Sequence, residues 1–478
     1  MYKRYLKRMA ASSIIIGTFA FYPTVYFNST IPVAYAEVKH YTGVGKYIVS
    51  DFEDYEIAKQ RAKYRAEQDA KDKAGVYLRN YSSTSNARLT EDDILTITNN
   101  IVSEISIDYQ KKPFEAYDNN GKTTGEVGYI CEATIKVNID TDGIANYLQF
   151  DDKTKETLIT QAKKVQKSAV ENDKKVESLR ERIKNAKTDS ERAQIKAEYK
   201  QADIEFLANQ LFEEGNKLYY AKNYQGAIQK YKDVIKLNPK DDMAYGNQAL
   251  AYSELQNYNE ALVNFNKAIE LNPNNNYAYN NRGTIYNKLK NYQQAIADYN
   301  KAIELNSKYT EAYNNRGNAY SMLNDMQHAL SDYNKAIELN PQNVQSYYNR
   351  GNLYARLGKN YKLAIDDYTK AIELNPKDFN YYMNRAITYI NINNFDLAII
   401  DLNKVIELNP TYAWAYSNRG MCYLSLVEME EAVENYNKAI ELDPNNNLNY
   451  YFRGVAYKVL GETAKAEADF AKSKQLGG

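Results

Sequence analysis

Six asparagines recur in the second half of the chain: Asn247, Asn281, Asn315, Asn349, Asn384 and Asn418. The intervals are 34, 34, 34, 35 and 34 residues. A carboxamide offers two donor hydrogens and an acceptor oxygen. A row of them can grip the backbone of an extended peptide without reading its side chains. The same amides can equally bond their own scaffold or water. One residue after each of the last five stands an arginine: Arg282, Arg316, Arg350, Arg385 and Arg419, with Arg453 continuing the series. Sixteen or seventeen residues further on come Asp298, Asp332, Asp367, Asp401, Asn435 and Asp469. Earlier in the chain the two sites change together. Glu214 and Lys230 swap the charges, and Gln248 and Asn264 are both neutral. Complementary chemistry at every step implies an ion pair or hydrogen bond between two helices, a structural role rather than a ligand site. Bidentate, partly buried pairs contribute more than the ~0–1 kcal/mol of an exposed pair.

A third series is apolar. Tyr348, Met383 and Tyr451 stand one residue before the asparagine position, where Asn280 and Asn314 stand earlier. Three residues further back lie Trp414, the single tryptophan, and Leu448. A surface built from these positions turns from polar to aromatic toward its C-terminal end. Aromatic anchors in a concave surface are typical binding hot spots. The alternatives are a stacking surface and a self-association patch, because the last copy lacks a polar capping helix.

The element that must position all three series is a motif written eight times over 208–478. Copies begin at Ala208, Asp242, Asn276, Thr310, Val344, Phe379, Ala413 and Asn447. The eighth residue is always small, Gly215, Ala249, Gly283, Gly317, Gly351, Ala386, Gly420 or Gly454. An alanine follows twelve residues later, as in Ala261 and Ala295, and a bulky ring soon after, as in Phe265 and Tyr299. Small residues let two helix backbones approach, and the ring fills the space beside them. A proline closes six copies, among them Pro239, Pro273 and Pro444, where it ends the second helix. A fixed period of this length is the signature of a repeat array.

The pattern resembles the tetratricopeptide repeat (TPR) family over 208–478. Tyr245, Tyr279, Tyr313, Tyr347, Tyr382, Tyr416 and Tyr450 occupy the site where that family favours a ring. Ser307 replaces one closing proline, and arginine stands where leucine is usual. The resemblance implies a mainly α fold, a right-handed α-solenoid of eight helix pairs with a concave groove, and a protein or extended peptide as partner. Some members hold a C-terminal carboxylate with a Lys/Asn/Arg clamp. Asn216 and Asn247 match two of its positions, but Phe212 replaces a lysine, and Tyr277 and Asn281 stand where a lysine and an arginine are needed. A chaperone-type clamp is therefore not supported.

Composition narrows the function. Net charge is zero, so nothing marks a nucleic-acid surface. Cys131 and Cys422 stand alone, and His40 and His328 are the only histidines. No phosphate loop, metal spacing or Ser/His/Asp set is present, which argues against an enzyme, a metal site or a small-molecule cofactor. The chain has 47 tyrosines, and the repeats place several per copy at packing positions.

Upstream, residues 1–36 read as a secretory signal. Lys3, Arg4, Lys7 and Arg8 precede an apolar run, and Ala34-Tyr35-Ala36 supplies the small-x-small pattern before Glu37. An uncleaved membrane anchor is the alternative, disfavoured by Pro23 and Pro32. Residues 37–150 read as a small α+β domain. A strand is expected at 41–49, a helix at 54–78, and strands at 105–117 and 126–139 joined by a turn at Asn119-Asn120-Gly121. Ala58, Ala62, Ala66, Ala70 and Ala74 make one smooth helix face, suited to close packing on a sheet. Thr90 is expected to cap a further helix. Cys131 falls among alternating apolar residues and reads as core. The run AKQRAKYRAEQDAKDKAGVYLRNY with LTEDDI is similar to the N-terminal domain of flagellar H-ring proteins and related envelope lipoproteins. That resemblance implies an envelope-associated module and no catalytic residues.

Residues 151–207 form a charged helical linker. Leu158, Ala162, Val165, Ala169, Asn172, Val176, Leu179, Ile183 and Ala186 follow alternating steps of four and three, a heptad seam. The preferred reading is an antiparallel hairpin, with Thr188 or Ser190 as cap. The alternative is a homodimer through the first helix. Its charges read as a solvated face. The expected function is an exported, non-enzymatic scaffold that binds a protein or peptide in the groove and helps organise a bacterial envelope, in a periplasm or beyond the cell. The alternative is a self-associating structural envelope protein.

Overall fold

The structure is a computed structural model describing residues 39–49, 53–84, 91, 94, 102–117, 123–139, 152–358 and 360–477. The signal-like segment, Thr90 and the Asn119-Asn120-Gly121 turn lie outside these residues. Two compact units make up the chain, divided between Pro273 and Asn274.

The first unit starts with a three-stranded antiparallel sheet ordered β1-β3-β2, from Lys39–Val49 (β1), Val102–Tyr117 (β2) and Thr123–Ile139 (β3). Helix α1, Tyr55–Thr84, lies on β1 and β3 through its alanine face. Ala58, Ala62, Ala66, Ala70 and Ala74 are all buried. Glycine in β1 is what permits the approach. A Cβ on Gly43 would stand 1.9 Å from the Ala66 carbonyl oxygen, and one on Gly45 2.1 Å from that of Ala62. Cys131, Ala133, Ile135 and Val137 alternate inward along β3, so Cys131 is core and free.

Helices α2 (Asp152–Asn185) and α3 (Asp189–Tyr220) form the expected hairpin. Thr188 caps α3, accepting from the Glu191 amide at 3.1 Å. Val176, Leu179 and Ala186 of the seam are buried with Ile195, Tyr199 and Ala202 of α3. That part of the seam is thus filled by its own chain and is not available to a second α2. Contrary to expectation, the charges of this hairpin are not all solvated. Arg61 of α1 is 1% exposed and donates to Asp203 (2.9 and 3.2 Å), Asn172 (3.0 Å) and Asp173 (3.3 Å). Its guanidinium lies 4.4 Å from the centre of the Phe206 ring. Arg180 donates twice to Glu53 at 2.8 Å. Tyr47 and Tyr199 share a hydroxyl–hydroxyl bond of 2.8 Å, and Tyr199 also donates to Glu53. The hairpin is therefore anchored on the α+β domain, not a free linker. Helix α3 also runs unbroken past residue 207 and supplies the first helix of the first repeat.

Helix α4 (Tyr224–Leu237) completes that repeat, and α5 (Asp242–Glu254) with α6 (Tyr258–Leu271) forms the second. The second unit holds six more helix pairs. They are α7 (Asn276–Lys288) and α8 (Tyr292–Leu305), α9 (Thr310–Met322) and α10 (Met326–Leu339), and α11 (Val344–Arg356) and α12 (Tyr361–Leu374). Then come α13 (Phe379–Asn391) and α14 (Phe395–Leu408), α15 (Ala413–Leu426) and α16 (Met429–Leu442), and α17 (Asn447–Val459) and α18 (Thr463–Gln475). The architecture is a solenoid-like array of helix pairs, mainly α, as the period implied. From α5 on, the first helix of each pair starts at the residue where its copy begins. Asn or Asp caps most of these starts, as Asn275 does by accepting from the Ala278 amide at 3.0 Å. Between the helices of each pair one residue takes a left-handed conformation: Lys222, Gln256, Lys290, Asn324, Gly358, Asn393, Val427 and Gly461.

Candidate partner-binding surface

Within each pair the packing follows the small-residue rule. A Cβ on Gly317 would meet the Tyr333 ring at 2.7 Å, and one on Gly283 the Tyr299 ring at 2.8 Å. Ala249 and Ala386 are tolerated where the facing side chains are Phe265 and Leu402. The buried tyrosines need a partner for the hydroxyl. Tyr231, Tyr333 and Tyr368 find one in Asn216, Asn318 and Asn352, the next residue after the glycine (2.8, 2.6 and 2.7 Å). Met421 stands at that site in the seventh repeat, and the buried Tyr436 hydroxyl has no hydrogen-bond partner.

The arginines form the clasp their spacing implied. Arg282–Asp298, Arg316–Asp332, Arg350–Asp367, Arg385–Asp401 and Arg453–Asp469 are each bidentate, at 2.6–2.9 Å. Arg419 donates to Asn435 at 2.7 Å, and Lys230 meets Glu214 at 2.5 Å. Burial pushes the carboxyls of Asp332, Asp367 and Asp401 up from their ordinary value, against the opposing pull of the paired arginines. One expectation fails. Gln248 donates to the Ile228 carbonyl (3.2 Å) and Asn264 to that of Glu260 (2.8 Å), so each neutral amide satisfies itself on backbone instead of on the other. A further contact escaped the sequence reading. The third guanidinium nitrogen reaches back to the preceding repeat: Arg316 to Asn300, Arg350 to Asn334, Arg385 to Thr369, Arg419 to Asn403 and Arg453 to Asn437, at 2.6–2.9 Å. The acceptor in each case is the residue two after the clasp partner of the preceding repeat, Asn300, Asn334, Thr369, Asn403 or Asn437. The series therefore joins repeats as well as helices, and leaves little of the fork for a ligand.

The asparagines are also tied to the scaffold. Asn247 donates to Asn216 (3.0 Å), Asn315 to Asn280 (3.1 Å) and Asn349 to Asn314 (3.1 Å). Asn384 donates to the Tyr348 hydroxyl and to Asn352, both at 2.9 Å, and Asn418 to the Trp414 carbonyl at 2.8 Å. Asn281 accepts a long 3.5 Å bond from Asn280. The amide nitrogens of Asn247, Asn315, Asn349 and Asn384 thus fix successive first helices against one another, whereas the bonds of Asn281 and Asn418 stay within their own helices. All six side chains are half-buried.

The apolar series divides. Met383 is 2% exposed and lies in the core around α13 and α14, so its reading as a surface residue is corrected. Tyr348 packs on Tyr381 (5.0 Å) and Tyr368 (6.1 Å), and burial raises its phenol from the ordinary value. Tyr451 sits half-buried against Phe452 and Phe470 (5.4 and 5.7 Å). Trp414 and Leu448 remain open, 47% and 53% exposed, at the same position of successive repeats. Tyr277, considered above only as a clamp position, is 57% exposed at that position of the third repeat and lies 5.3 Å from Tyr309. Side chains this open need no explanation singly, but two large apolar ones at the same position of neighbouring first helices make that position the candidate for partner contact. Among the described residues, no group of three or more His, Cys, Asp and Glu side chains could hold a metal ion.

Comparison with known proteins agrees with the repeat geometry. The tetratricopeptide repeat family matches at 243–275, 277–309, 310–343, 344–378 and 413–446, with a second description of the same repeat at 367–400. Hsp70-Hsp90 organizing protein 1 of Arabidopsis thaliana is 39% identical over 67 residues, 14% of this chain and 12% of that protein. Small glutamine-rich tetratricopeptide repeat-containing protein 2 of Saccharomyces cerevisiae is 36% identical over 72 residues, 15% of this chain and 21% of that protein. This chain thus spans less than a quarter of either relative. Among solved structures, YrrB, described as a TPR protein with an unusual peptide-binding site, is 30% identical. The match covers 39% of this chain and 95% of that one, with a TM-score of 0.35. MamA is 28% identical over 34% of this chain and 93% of its own, with a TM-score of 0.33.

Proposed function

We propose that this chain, which carries tetratricopeptide repeats, is an exported scaffold that holds a protein partner against the first helices of its C-terminal repeats. Repeats of this kind are generally non-catalytic interaction modules. The observation that carries the proposal is the exposure of Trp414 and Leu448 at one position of two successive repeats. An extended segment lying across α15 and α17 buries both, and each buried large apolar side chain contributes about 1.5–3 kcal/mol. The partner differs from a carboxylate-terminated chaperone tail, because Phe212, Tyr277 and Asn281 replace the cations such a clamp requires.

Export rests on the basic start, apolar run and Ala34-Tyr35-Ala36 pattern. The place in an envelope rests on the likeness of the alanine-rich α1 to H-ring and lipoprotein domains, and on the anchoring of the α2–α3 hairpin to that domain through Arg61. The full chain and a Trp414→Ala/Leu448→Ala variant, each used as bait on envelope extract, test the proposal. The expected result is a protein retained by the natural chain and lost from the variant. Equal retention by both would overturn the assignment of this surface. Immunodetection of the chain in the cytosolic fraction alone would overturn export.

A further inference from the structure

The two edges of the N-terminal sheet are treated differently. The outer edge of β1 is sealed by side chains. Lys73 donates to the Thr42 carbonyl (2.9 Å), Arg65 to that of Lys46 (3.0 Å) and Arg180 to that of Ile48 (2.5 Å), while the Val44 amide donates to Asp69 (2.9 Å). An edge whose polar groups are already engaged cannot take another strand. The outer edge of β2 carries no such seal among the described residues.

Parity fixes which groups β2 presents. The sealed groups of β1 belong to even-numbered residues, so its odd residues bond β3. The register pairs Gly45 with Ala133, so odd residues of β3 face β1 and even ones face β2. Gln110 pairs with Glu132 and Asp108 with Thr134, so even residues of β2 bond β3. Ile107, Lys111 and Pro113 therefore turn their backbone outward. Pro113 has no N–H to lose to the sheet, as suits an edge position.

We propose that β2 pairs antiparallel with β2 of a second copy of this chain, about a two-fold axis at Gln110. In that register odd residues oppose odd ones, so outward groups meet outward groups. Ile107 opposes Pro113, and one bond is forgone there. Asp108 of each copy opposes Lys112 of the other. Asp108, Gln110 and Lys112 are exposed on one face. Asp108 has no partner among the described residues. Lys112 and Lys46 share the single carboxylate of Glu132 (2.9 and 3.3 Å), which leaves a cation in excess. The complementarity is thus reciprocal, as a two-fold interface requires. Slipping the register by one residue, which places the axis between Gln110 and Lys111, opposes outward to inward groups and yields no ladder. Moving the axis to Lys111 opposes that lysine to itself.

The test uses the full chain in analytical ultracentrifugation over a concentration series. The natural chain is expected to pass from monomer to dimer. Asp108→Lys and Lys112→Asp each oppose like charges twice and are expected to raise the dimer dissociation constant about tenfold, while the double exchange restores it. Gln110→Cys is expected to form an inter-chain disulfide under mild oxidation, because directly opposed strand residues lie within disulfide reach. Asp108→Cys, which opposes residue 112, is expected not to. A mass of one chain at every concentration would overturn the proposal. So would crosslinking of Gln110→Cys no greater than of Asp108→Cys. Neither outcome bears on Trp414 and Leu448, so the partner-binding proposal stands or falls separately.

Discussion

At the residue scale, the repeats are most informative where one copy departs from the rest. Val427 takes φ 70° at the turn where other copies place Gly, Asn, Lys or Gln. A β-branched side chain is strained there, whereas glycine is not. Val427→Gly is expected to stabilise the fold by about 1 kcal/mol, read as a raised Tm. A lowered Tm would mean that the half-exposed valine contributes packing that outweighs the strain. Tyr436 is the second departure. Its hydroxyl is buried without a partner, whereas that of Tyr333 is bonded to Asn318. Tyr333→Phe is expected to cost about 1 kcal/mol in a denaturant titration, and Tyr436→Phe nothing or less than nothing. The arginine–aspartate clasp could be read from covariation among copies, because a charge swap at both sites has no other simple cause. Its third bond, to the preceding repeat, could not, because that geometry exists only once repeats stack. The asparagines show the opposite limit. Their spacing is plain, but whether an amide faces a ligand or its neighbour depends on half a turn of helix, which a sequence does not fix.

At the element scale, α1 and its sheet were legible together. Alanines four apart and glycines two apart are complementary surfaces, and the structure brings them into contact. The hairpin was legible in its turn and its seam. Its docking was not, because Arg61 and Asp203 are 142 residues apart and each looks like an ordinary surface charge. The seam asparagine was the available clue, since Asn172 bonds both Arg61 and the Ala202 carbonyl. Arg61→Leu leaves Asp203 buried without its cation and is expected to cost about 3–5 kcal/mol, seen as early protease cleavage within 152–220. A protease pattern unchanged from the natural chain would mean that the hairpin is held by its apolar contacts alone.

At the scale of the whole molecule, one buried tyrosine in most repeats makes the array sensitive to alkali. Burial raises the phenols of Tyr231, Tyr299, Tyr333, Tyr368 and Tyr436 above their ordinary value. A phenol that keeps its proton longer when folded contributes stability that is fully present below about pH 10, the unfolded value, and is lost as pH rises through the folded values. Phenolate absorbance is therefore expected to rise in two stages, exposed rings first and the buried set together with loss of helical circular dichroism. Complete titration with the helices intact would contradict the packing described. The array itself was legible from its period. Which of its apolar residues stay open was not, because Met383 and Trp414 carry similar sequence signals and only the stacked helices bury one and expose the other.

The central claim is that a protein partner lies across Trp414 and Leu448. The most direct test is hydrogen–deuterium exchange of the full chain, alone and with the protein it retains. The expected result is added protection along α15 and α17, abolished in the Trp414→Ala/Leu448→Ala variant. Protection confined to the N-terminal sheet or the second helices of the repeats would contradict the claim.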